Sequence, residues 1–127
     1  MSMSGKGSAV IPDDSTSTFL TVNVRKGASR LWVGLTNSAD KGLDVFTVAV
    51  QAGASDTAPY ATVANATSDY TTSIQWPVMG CSTDLTTLAK SSEGTIALDV
   101  RGLQNVRFQA SAASASDTTV SYYWSVS

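Results

Sequence analysis

The 127 residues carry 8 Lys and Arg against 10 Asp and Glu, with only 14% charged side chains and no histidine. A chain this long forms one domain that buries roughly two-thirds of its unfolded surface, so a core needs no disulfide or metal. The lack of a basic excess argues against nucleic-acid binding by counterion release, and the lack of histidine removes the commonest general base and metal ligand.

Residues 1–17, MSMSGKGSAVIPDDSTS, are polar and Gly/Ser-rich. They predict a flexible, extended N-terminal arm, with Val10, Ile11 and Pro12 as an apolar hook for a neighbouring subunit. A single β domain is expected over residues 18–127. No apolar run has the length of a signal peptide core or a membrane span, which predicts a chain made and used without secretion, with no membrane partner.

From residue 19 the pattern has period two, so each strand puts one face on a core and one outward. Leu20, Val22 and Val24 share a face, as do Leu31, Val33 and Leu35, and then Phe46, Val48 and Val50. Tyr60 to Ala64 and Tyr70 to Val78 continue the series, the latter through Ile74, Trp76 and Val78. Ile96, Leu98 and Val100 follow, then Val106, Phe108 and Ala110, and last Val120, Tyr122, Trp124 and Val126. Turn compositions such as RKGAS, NSADKGLD, AGASDTA and SASASD separate them. About eight short strands with this punctuation predict an all-β fold, an antiparallel β-sandwich of jelly-roll type. Leu85 and Leu88 in TDLTTLAK allow one helical turn, and the adjacent threonines disfavour more. That segment is expected to cap one end of the sandwich.

The chemistry-bearing residues are sparse. Asp13, Asp14, Asp40, Asp56, Asp69, Glu93 and Asp117 all lie in turn compositions, where acidic side chains bond local backbone. No metal-ligand spacing or phosphate-cradling loop occurs, and no histidine activates the serines. The sequence therefore predicts neither an enzyme nor a cofactor. Asp40 and Asp44 are the best calcium pair, but Lys41 between them opposes a cation. Cys81 is the sole cysteine and reads as a small half-buried side chain in a loop.

The aromatics offer a binding reading. By parity Tyr122 and Trp124 turn into the core while Tyr123 faces outward; Trp32 opposes Leu31, Val33 and Leu35, so either it or that set is exposed. Trp32, Tyr123 and Trp76 are thus candidates for a sugar-stacking or protein-contact platform.

The stretch DVRGLQNVRFQASA, residues 99–112, gathers Asp99, Arg101 and Arg107 around a Gly turn. As a direct hairpin it sets Asp99 across from Arg107; as an arch between two sheets it separates them. In both cases these charges decorate an outward face. From Thr83 to Val126 the order TDLTTLA, IALDVRGLQNVRFQASA and a final valine–aromatic strand resembles the C-terminal portion of small β-sandwich virion proteins of tailed bacteriophages. The resemblance implies a capsid decoration (cement) protein, or a fibre-like domain, with no catalytic residues to carry over. The partners it implies are a major capsid protein or copies of the chain itself, as a homo-oligomer on the virion surface. A carbohydrate- or receptor-binding module is the alternative reading.

Overall fold

The computed structural model describes residues 3–12, 16–37, 42–52, 60–65, 78–82, 85, 88–112 and 117–127. Among them run nine strands: β1 Met3–Ile11, β2 Ser17–Asn23, β3 Arg30–Asn37, β4 Leu43–Ala52, β5 Ala61–Asn65, β6 Val78–Cys81, β7 Glu93–Asp99, β8 Leu103–Ala112 and β9 Thr118–Val126. They form a five-stranded sheet, β1-β9-β3-β7-β6, packed on a four-stranded sheet, β2-β8-β4-β5. The fold is an antiparallel β-sandwich, as the alternation predicts.

The pairing is nested. β1 pairs with β9, β2 with β8, β3 with β7 and β4 with β5, all antiparallel. A hairpin ribbon folded over on itself gives this order, which is that of a jelly roll. β6 is additional, lying beside β7 at the edge of the larger sheet. Val22, Leu31, Val33, Val48, Ile96, Leu98, Val106, Phe108 and Val120 are fully buried between the sheets. Each such side chain contributes about 1.5–3 kcal/mol relative to exposure, so the period-two pattern sets the register.

One expectation is corrected. Residues 3–11 are not a flexible arm; they pair with β9 without a register shift, from Met3 opposite Val126 to Ile11 opposite Thr118. The glycines have a packing role there. An ideal Cβ on Gly5 would lie 2.8 Å from the Trp124 indole, and one on Gly7 2.8 Å from the Tyr122 hydroxyl. Their missing side chains leave room for the two half-buried rings of β9, which pack against the core.

Two similar turns close one end. In Arg25–Ala28 and Val100–Leu103 the last N–H donates to the first carbonyl, at 3.1 and 3.0 Å. Gly27 (φ 90°) and Gly102 (φ 81°) hold the third position, as a type II turn requires. Each turn carries the chain from one sheet to the other. The arches are stitched together where Val24 N–H meets the Gln104 carbonyl and Val100 N–H meets the Ser29 carbonyl. Leu85 and Leu88 are buried elsewhere in the core, and Leu43 N–H donates to the Leu88 carbonyl at 2.9 Å.

Candidate functional site: the outer face of the five-stranded sheet

Because side chains alternate along each strand, the outer face of the larger sheet can be read as cross-strand rows. Ser8, Ser121, Thr36 and Glu93 form one row across β1, β9, β3 and β7. Lys6, Tyr123, Gly34 and Thr95 form the next, and Ser4, Ser125, Trp32 and Ala97 the third. This face is therefore hydroxyl-rich, with Lys6 and Glu93 as opposite charges on β1 and β7 and one aromatic pair at its centre.

Tyr123 faces outward and meets Trp32 there. Their rings contact edge to face, with centroids 5.0 Å apart at 61°. Tyr123 is 47% exposed and Trp32 is half-buried. The ring of Tyr123 lies over Gly34, where an ideal Cβ would approach Cε1 and Cζ to 2.5 Å. The ring thus rests between the backbone of β3 and the Trp32 indole, with about half of the residue left open to solvent. Depressions flank it on both sides. One of 230 Å³ is lined by Ser82, Glu93, Thr95 and Tyr123; another of 590 Å³ is lined by Lys6, Ser8, Thr36, Ser121 and Tyr123.

The apolar hook is split by the structure. Val10 is 61% exposed, whereas Ile11 is fully buried in the core. The carbonyl of Pro12 accepts the Ala112 N–H at 2.8 Å, tying the strand end to β8. Val10 is thus the most exposed of the three, with Pro12 half-buried. It lies on β1, which forms one edge of its sheet and hydrogen-bonds within that sheet to β9.

The charge cluster resolves as the arch. β7 and β8 belong to different sheets, so Asp99 and Arg107 separate. Asp99 instead accepts Arg101 Nε at 2.9 Å and Nη2 at 2.7 Å, and also the Arg101 backbone N–H at 3.2 Å. The hydrogen bond with Asp99, ahead of its charge, holds the Arg101 guanidinium above its ordinary pKa. The fork is exposed on the Arg101 side and braces the turn locally. Arg107 lies on the outer face of the smaller sheet, its guanidinium carbon 3.2 Å from the centroid of the Tyr60 ring. Its Nε is buried without a hydrogen-bond acceptor among the described residues, and the ring face supplies a cation–π partner. Polar ladders flank it: Gln109 bridges Thr47 and Thr18, and Asn105 donates to Gln51 at 2.6 Å.

Cys81 ends β6, in a strand and not in a loop, and packs half-buried against the core. Trp76, Asp40 and the Asp44 side chain lie outside the described residues. Among the described residues no three Cys, Asp or Glu side chains converge as a metal site. The sequence reading missed the space-making role of Gly5, Gly7 and Gly34, because it depends on rings from distant strands.

No protein-family model matches the chain, and no curated protein matches it. Among solved structures, it resembles the crystal structure of the SPBc2 prophage-derived protein YomS. The TM-score is 0.53 at 16% sequence identity, over 98% of this chain and 96% of that one. The likeness is one of fold. It extends through the whole sandwich, β1 included.

Proposed function

We infer that the chain is a non-enzymatic structural protein of a bacteriophage particle, which decorates and stabilises the head through repeated protein–protein contacts. The observation that carries this reading is the end-to-end fold likeness to a prophage-derived protein. The β1 edge supports it further. Its nine residues run without a bulge and carry Lys6 as their one charged side chain, and they expose Val10 on the sheet edge. An edge strand of this length presents unpaired N–H and C=O groups to which a second chain can add. A low-charge surface suits close packing, and symmetry multiplies weak contacts into a large total.

Quantitative mass spectrometry of purified particles tests the reading. The chain is expected in the head fraction at a copy number proportional to that of the major capsid protein. Its absence from particles, or its confinement to lysate, would contradict the assignment.

A further inference from the structure

We propose that the Tyr123 platform is a binding site for a neutral glycan chain, with one pyranose ring stacked on the exposed face of Tyr123. This inference rests on the outer-face geometry and is independent of the decoration reading. Sugars stack on aromatic rings through their C–H faces, which requires a ring held flat with one side open. Gly34 supplies the seat: no other residue leaves space for the ring, since a Cβ there would come within 2.5 Å of it. Trp32 braces the ring from the side with centroids 5.0 Å apart, so its orientation is fixed before any ligand arrives.

The surroundings match the rest of a sugar chain. The depressions on either side of Tyr123 hold Ser82, Glu93 and Thr95 in one and Lys6, Ser8, Thr36 and Ser121 in the other. Hydroxyl, carboxylate and ammonium groups there can exchange hydrogen bonds with the sugar hydroxyls. The Ser82 hydroxyl already accepts the Thr95 N–H at 2.8 Å, which leaves its own proton free to donate. Lys6 and Glu93 lie on opposite sides of Tyr123, so a chain that spans both depressions meets no net charge, which disfavours a polyanionic chain such as an oligogalacturonate. Depressions on both sides of the platform call for at least three linked residues, the central one on Tyr123.

The test is saturation-transfer NMR of the full chain with soluble β-glucan, xylan, mannan and chitin oligosaccharides, alongside an oligogalacturonate. At least one neutral oligosaccharide should receive saturation at its ring C–H protons and bind more tightly than the acidic one. Tyr123→Ser should weaken that binding by about tenfold or more, while Tyr123→Phe, which keeps the ring, retains it. Gly34→Ala should also weaken it, by lifting the ring off its seat. Lys26→Ala, in the exposed turn at one end of the sandwich, should leave it unchanged. If none of the oligosaccharides engages, or if Tyr123→Ser binds as well as the parent, the proposal is overturned. It is equally overturned if Tyr123→Ser abolishes a self-association and alters no sugar binding, for the platform would then be a protein contact.

Discussion

Gly5 and Gly7 show how a residue's role can invert between sequence and structure. In MSGKGSA they read as punctuation of a flexible arm, since glycine without neighbouring apolar residues signals loop. Their partners, Trp124 and Tyr122, sit at the far end of the chain, so no local pattern reports the packing. Gly5→Val should destabilise the fold by about 1–3 kcal/mol, because the added carbons meet the indole and force it outward. Ser4→Val, on the opposite face of the same strand, should stay within about 0.5 kcal/mol of the parent. Urea denaturation followed by tryptophan emission distinguishes the two. Equal and small effects would show that β1 does not pack on those rings.

At the scale of elements, the strands were legible and their connections were not. Strict alternation groups Leu31, Val33 and Leu35 on one face and Ile96, Leu98 and Val100 on another, and all six side chains are buried. The arch at Val100–Leu103 remained ambiguous because a hairpin and an arch satisfy the same parity. What decides it lies elsewhere, in β8 pairing between β2 and β4. Asn37 illustrates the same limit. It is a polar residue at a strand end, yet only 2% exposed. Its Nδ2 donates to the Leu88 and Ala89 carbonyls at 3.1 and 3.3 Å, and its Oδ1 accepts the Thr118 hydroxyl at 2.9 Å. It thereby ties β3, β9 and the Leu88 segment together. Asn37→Leu would strand these groups in a dry site, and a loss of about 1–3 kcal/mol is expected by chemical denaturation. A loss below that range would mean the bracket is dispensable.

For the whole molecule, the nested pairing makes the first strand the partner of the last. Local sequence carries period, and period fixes which face of each strand is buried; it does not fix which strands are neighbours. The sandwich was accordingly readable, while the incorporation of residues 3–11 into it was not. The platform was partly readable, since parity places Tyr123 outward, but its seat on Gly34 and its contact with Trp32 are properties of the sheet. The incorporation of β1 also alters how the edge can be probed. Removing residues 3–11 would bare Trp124 and Tyr122 and delete Ile11 from the core, so truncation reports stability as much as contact. Val10, at 61% exposure, can be changed without disturbing either.

The most direct measurement is therefore co-sedimentation of the purified chain with phage heads that lack it, comparing the parent with Val10→Glu. The account predicts saturable binding by the parent and a loss of about tenfold or more in affinity for the variant, with unchanged thermal unfolding. Heads that bind neither protein, or both equally well, would contradict it.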